Sequence, residues 1–148
     1  MAEFIVRPAI REDIAAIRML IHTVQINPTG LVWPRFLVAV TPQGNLLGCG
    51  QIKKHSDGSR EMASIAVEEQ TRGQGVARAV IEALLAQEPD RPLYLMCRTR
   101  LNLLYVKFGF QTVRPEEMPL YFRRISRFER FINSKAKPED RLTVMRLD

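Results

Sequence analysis

"VEEQTRGQGVARAV", Val67–Val80, is the stretch on which the fold of this chain turns. Gly73 and Gly75 stand one residue apart, between a short apolar run and a segment of helical periodicity. Val76, Ala77, Val80, Ile81, Leu84 and Leu85 recur at the spacing of one apolar helix face. Glycines ahead of a helix let the backbone approach a ligand closely. The helix start adds unpaired N–H groups and a partial positive charge, which together suit a phosphate. A plain strand-to-helix turn is the other reading of the same residues. The dinucleotide fingerprint G-x-G-x-x-G fails, because Arg78 holds its third glycine position; the P-loop fails because no Gly-Lys-Ser/Thr follows.

Outward from this stretch, the pattern on the N-terminal side is a run of strands behind one helix. Phe4–Arg7 is a short strand candidate, and Ile10, Ile14, Ile17 and Ile21 recur at helical spacing. "NPTG" (Asn27–Gly30) breaks the chain. "RFLVAV" (Arg35–Val40) and "LLGCGQIKK" (Leu46–Lys54) flank the turn "TPQGN" and predict a hairpin. "SDGS" (Ser56–Ser59) is a second turn, and "REMASIAV" (Arg60–Val67) the next strand. On the C-terminal side, "EPDRP" (Glu88–Pro92) stops the glycine-led helix and "LYLMC" (Leu93–Cys97) is a strand. Strand, helix, strand in that order implies a right-handed crossover and a parallel pair. Leu101, Leu104, Tyr105 and Phe108 suggest a short helix, "GFQTV" a strand, Pro115–Asn133 a helix with Pro119 in its first turns, and "RLTVMRLD" a last strand. The fold class expected is α/β (α+β): a mixed sheet with an antiparallel N-terminal meander, a parallel pair and flanking helices.

The bulk properties narrow the function. The length suits a single domain, 1–148, and 46% hydrophobic with 26% charged residues is globular composition. Residues 1–8 alternate apolar and charged and do not read as a signal peptide; no apolar run reaches a membrane span. A soluble, cytoplasmic protein is expected. Cys49, Cys97, His22 and His55 have no metal-ligand spacing, so no metal is expected. The net charge of +6 favours anionic partners without choosing among them.

Two motifs together carry a resemblance. Gln70-Thr71-Arg72-Gly73-Gln74-Gly75 fits the Q/R-x-x-G-x-G/A loop of the GNAT acetyltransferases, between a strand ending "SIAV" and an amphipathic helix. "LLYVKFGF" (Leu103–Phe110) resembles that family's tyrosine-x-x-x-glycine-phenylalanine segment, at the right distance and with a strand between. The likeness covers nearly the whole chain. A finer one, through "CRTRLNLLYVKFGF" and "MPLYFRRISRFERF", is to the acetyltransferase domain of bacterial N-acetylglutamate synthases. The chain departs from those enzymes in having no amino-acid-kinase-like segment upstream, and in Tyr105 where many carry another aromatic residue.

The resemblance implies acetyl-CoA as donor and a primary amine as acceptor. The backbone of Arg72, Gly73, Gln74, Gly75, Val76 and Ala77 would cradle the pyrophosphate, with charge from Arg72 and Arg78. Pantetheine would run between Ile65, Ala66 and Val67 on one strand and Leu95, Met96 and Cys97 on the next. The Val67 N–H would polarise the thioester carbonyl. Tyr105 matches the position of the general acid that protonates the departing thiolate; a core tyrosine is the alternative. Glu61 stands where family members often carry a carboxylate that takes the amine's proton, directly or through water; an edge-strand charge is the alternative. His55, before a turn, reads as an exposed loop histidine, and Cys97 as a small buried strand residue rather than an acyl carrier. The acceptor would meet Trp33 and Arg35, with Arg98 and Arg100 able to clamp a carboxylate; residues that simply flank a helix are the alternative for these two arginines. It would be a small-molecule amine or amino acid; the alternatives are a lysine or N-terminal amine of a protein or peptide, or a non-catalytic module of this fold that binds CoA or nucleic acid. A homodimer is compatible with the sequence. Arg123, Arg124, Arg127 and Arg130, interleaved with Phe122, Phe128 and Phe131, read as a packed helix with a solvated basic face. Nucleic acid is therefore not the expected partner.

Overall fold

The computed structural model describes residues 3–148. Two compact units interleave along the chain. One holds the residues up to Lys53 and Met62–Pro89; the other holds Lys54–Glu61 and Asp90–Asp148.

The first unit begins with β1 (Ile5–Pro8) and α1 (Ile14–Thr23), followed by β2 (Phe36–Val40) and β3 (Leu46–Lys54). It then takes most of β4 (Arg60–Val67), and ends with α2 (Val76–Gln87). β1 runs antiparallel to β2, Ile5 opposite Val40; β2 runs antiparallel to β3, Phe36 opposite Gln51, with a bulge at Ala39/Val40. Every residue of β2 is buried, as a strand covered on both faces requires. On one face Ile17, Leu20 and Ile21 of α1 pack with Phe36, Val38, Val40 and Cys49. On the other, a Cβ on Gly50 would lie 2.6 Å from Ile65 Cδ1 of β4, and 2.9 Å from Leu84 Cδ1 and 3.0 Å from Val80 Cγ1 of α2. A larger residue at that position would have to push these side-chain ends aside.

The second unit holds β5 (Leu93–Arg98), α3 (Asn102–Val106), β6 (Gln111–Thr112), α4 (Leu120–Ile132) and β7 (Leu142–Leu147). β5 is antiparallel to β7 along its length, from Leu93 opposite Leu147 to Arg98 opposite Leu142, and β6 adds to β7. Glu61 of β4 pairs in parallel with Tyr94 of β5, so the parallel pair expected from strand–helix–strand order is present. Tyr94, Met118, Phe122 and Val144 form this unit's core, with Met96, Val113 and Tyr121 against it. In hydrogen-bonding order the sheet reads β1-β2-β3-β4-β5-β7-β6, the mixed arrangement anticipated.

The expected helix over Pro115–Asn133 does not form as one piece. A 3-10 turn takes Pro115–Glu117, Met118 is extended, and α4 starts at Leu120. Pro119 explains the break: it lacks an N–H and drives the preceding residue out of helical conformation. Ile10, assigned to the first helix, lies ahead of it and is 50% exposed. There Asp13 accepts the Ile10 N–H (2.8 Å) and the Arg7 guanidinium (2.8 and 3.2 Å). Among the described residues no helix is long and apolar enough to cross a membrane.

Candidate active site

In the first unit the decisive stretch leaves β4, makes a 3-10 turn at Glu69–Thr71 and passes through Arg72 in extended conformation. Gly73 and Gly75 have φ of +82° and +86°, a left-handed region that side-chain-bearing residues adopt only at a cost. Gly75 is the residue that starts α2, and no side chain caps that start. Its first-turn N–H groups are thus left to a ligand or to water. Gly73 and Gly75 also keep the space above the loop open: a Cβ at either would have nothing within 4 Å. Arg72 is exposed, and Arg78 pairs with Glu82 at 3.1 Å on the solvent face of α2.

Upstream, β4 is distorted at Ser64, whose φ is +60°. A non-glycine residue in this region costs about 1–3 kcal/mol and persists only where its surroundings hold it. Here they do: Gln51 Nε2 donates to Ser64 Oγ at 2.9 Å, and the Cys49 thiol to Ser64 O at 3.5 Å. The kink falls directly before Ile65, Ala66 and Val67, the residues expected along pantetheine. Nothing in the sequence marks Ser64. Trp33 and Arg35 sit in a short 3-10 turn leading into β2, the first partly buried and the second exposed.

In the second unit, Tyr105 is the penultimate residue of the short helix α3. Its carbonyl accepts N–H bonds from Phe108 (3.0 Å) and Phe110 (3.3 Å), while Gly109 turns back at φ +98°. Phe110 is fully buried and meets the Tyr105 ring edge-on at 6.2 Å. Tyr105 is itself buried, and burial, helped by the neighbouring Cys97 thiol, raises its hydroxyl well above the ordinary phenol range. Burial also pushes the Cys97 thiol up to about 12. That thiol contacts Asn102 Oδ1 at 3.3 Å and the Met145 sulfur at 4.0 Å.

The same unit holds a cluster that the sequence did not announce. Glu61 is nearly buried and meets His55 Nε2 at 2.8 Å. His55 is not the exposed loop residue expected: its side chain is 11% accessible. Its ring stacks on Tyr121 at 3.5 Å, 14° from parallel, and meets Phe122 edge-on at 5.6 Å. The "SDGS" turn brings the pair together, with His55 N–H donating to Ser59 O at 2.9 Å. Asp57 in that turn accepts the Tyr121 N–H at 3.0 Å and the Ser59 hydroxyl at 2.6 Å. Burial and the Glu61 and Asp57 charges raise the Tyr121 hydroxyl. A histidine before a turn and a carboxylate just after it are the only trace of this pair in the sequence.

Arg98 and Arg100 are both engaged elsewhere in this unit: Arg98 donates to the Asp140 carbonyl at 2.8 Å, and Arg100 pairs with the Asp140 carboxylate. No group of three His, Cys, Asp or Glu able to hold a metal occurs among the described residues.

Residues 33–112 match the acetyltransferase (GNAT) domain family, more than half of the chain, and the chain belongs to that family. Among solved structures, N-acetylglutamate synthase from Neisseria gonorrhoeae, complexed with coenzyme A and N-acetyl-glutamate, aligns with a TM-score of 0.76 at 19% identity. The match covers 99% of this chain and 35% of that one, so the chain spans about a third of that enzyme's length. Rv2747 from Mycobacterium tuberculosis, in complex with CoA, aligns at 0.72 and 22% identity over 97% of this chain and 98% of its own. Ard1 from Thermoplasma volcanium aligns at 0.68 and 18%, over 98% and 97%. These structures share the fold. No curated protein matches the sequence.

Proposed function

We propose that residues 1–148 form one acetyltransferase domain that moves an acetyl group from acetyl-CoA directly to the primary amine of a small molecule or amino acid. The observation that carries this reading is the open start of α2: two left-handed glycines, no capping side chain and free space above. These features fit a diphosphate, which accepts several N–H bonds at once and is favoured by the helix dipole.

The backbone of Arg72–Ala77 holds the pyrophosphate, and Ile65, Ala66 and Val67 offer their strand edge to pantetheine. The Val67 N–H donates to the thioester oxygen. Cys97 lies on the second strand assigned to pantetheine; with its thiol protonated at neutral pH it takes no acetyl group. Tyr105, protonated at any physiological pH, gives its proton to the departing thiolate. Glu61 belongs to the machinery that takes the proton from the amine. Trp33 and Arg35 line the acceptor's side; Arg98 and Arg100 serve an acceptor carboxylate only on release from Asp140. N-Acetyl-glutamate in the gonococcal synthase supports an amino-acid acceptor. A lysine or N-terminal amine of a protein is the second reading. It is favoured by α4, whose Phe128, Phe131 and Ile132 are 63, 83 and 56% exposed beside Arg124 and Arg127.

Calorimetry with acetyl-CoA tests the reading first, and absence of binding at millimolar concentration refutes it. Thiol release against amino acids, polyamines and peptides then identifies the acceptor.

A further inference from the structure

His55 and Glu61 form a buried hydrogen-bonded pair with an orientation that assigns each partner a task. Glu61 has a side chain only 5% accessible, and His55 Nε2 lies 2.8 Å from its Oε1. An ionised carboxylate accepts and cannot donate, so Nε2 carries the hydrogen and the lone pair falls to Nδ1. The Tyr121 and Phe122 rings fix the plane of the imidazole from two sides. The charged and titratable groups around it are Glu61 on β4, Asp57 on the turn and Tyr121 on α4. Ser56, Asp57, Leu120, Tyr121, Arg124 and Ile125 line a groove of about 210 Å³, and Tyr121 in its wall is the ring that stacks on His55. A neutral imidazole is also a better proton acceptor near pH 7 than a carboxylate, because catalytic bases work best with a pKa close to the operating pH.

We propose that His55 Nδ1 is the atom that takes the acceptor's proton, with Glu61 orienting the ring and neutralising the imidazolium. The proposal rests on the acetyl-transfer reading. One N–H bond of the acceptor ammonium breaks, its electron pair stays on nitrogen, and the proton passes to Nδ1 directly or through one water. That pair forms the new C–N bond to the thioester carbon; the C–S bond breaks, and the thiolate takes the Tyr105 hydroxyl proton. The acylated nitrogen gives up its second N–H proton to solvent, keeping the electron pair; His55 returns its proton to solvent and Tyr105 recovers one from solvent. The sum is acetyl thioester plus ammonium giving amide, thiol and one proton.

The test is thiol release from acetyl-CoA across pH with the wild-type chain, His55→Gln and Glu61→Gln, each checked for folding by circular dichroism and for acetyl-CoA affinity by calorimetry. His55→Gln is expected to lose at least about a hundredfold in kcat/KM, to lose the acid-side limb of the pH profile, and to regain part of its rate with added imidazole. Glu61→Gln is expected to lose about tenfold and to gain nothing from imidazole. His55→Gln within twofold of wild type, or inactive with the limb intact and no imidazole rescue, overturns the assignment. Loss in Glu61→Gln alone returns the proton to the carboxylate. A wild-type chain that binds no acetyl-CoA overturns the acetyl-transfer reading instead.

Discussion

The glycine loop before α2 and the cluster around His55 and Glu61 are built in opposite ways. The loop offers backbone: N–H groups at a helix start, made available by two residues whose only contribution is to lack side chains. The cluster offers side chains held in place by other side chains: a carboxylate on a strand, an imidazole before a turn, and two aromatic rings from α4. A backbone site tolerates change in neighbouring side chains and fails when its dihedral angles are lost. A side-chain site fails when its packing is lost, even if every reactive group remains.

The sharpest way to separate the two regions is Phe122→Ala. Phe122 is fully buried and touches His55, Tyr94 and Tyr121. Its removal should cost about 3–5 kcal/mol of stability in denaturant unfolding, with turnover lost well below the melting temperature and acetyl-CoA affinity kept. An equal fall in affinity would mean that the two regions are not separable. Tyr105→Phe should lower kcat about a hundredfold, about 2.7 kcal/mol of barrier, with acetyl-CoA affinity within twofold; an unchanged rate removes Tyr105 from the chemistry. Gly75→Val is the converse change. A β-branched residue at φ +86° should cost about 1–3 kcal/mol and weaken acetyl-CoA binding at least tenfold by calorimetry.

How much could be read in advance follows the same division. The loop was legible because glycine at a left-handed position is a local necessity and a helical stripe follows at once. The strands, the parallel pair and the Tyr105–Gly109–Phe110 turn were legible for similar reasons. Glu61 was singled out by motif register, but its hydrogen-bond partner was not, because His55 owes its burial to α4, more than sixty residues on. Ser64 was invisible, since its left-handed backbone is imposed by Gln51 and Cys49 across the sheet. Arg98 and Arg100 read as a carboxylate clamp because guanidinium spacing alone does not reveal that Asp140 already lies opposite.

Two smaller effects probe the surroundings of each region. Cys49 and Cys97 have thiols raised by burial from 9.0 to about 12. Both stay protonated in the folded chain after the unfolded chain has lost its thiol protons. Their contribution to stability is complete below pH 9 and is lost between pH 9 and 12 as the pH rises. The melting temperature should fall across that window, less steeply in Cys49→Ala; an unchanged slope would assign the alkaline loss elsewhere. Arg78→Ala removes an exposed pair with Glu82 and should change stability by only about 0.3–0.5 kcal/mol. Its effect on acetyl-CoA affinity at low and high salt decides whether Arg78 adds charge to the backbone cradle.

The open start of α2 also bears on how such an enzyme would answer to metabolic state. On the proposed reading its N–H groups grip the diphosphate, a part of the cofactor that the reaction leaves untouched. The grip is therefore blind to whether the far end carries an acetyl group. Spent cofactor would occupy the loop as firmly as charged cofactor. The rate would then follow the ratio of the two pools rather than the size of either, and acetylation would slow when the charged pool is drained even if total cofactor stays constant.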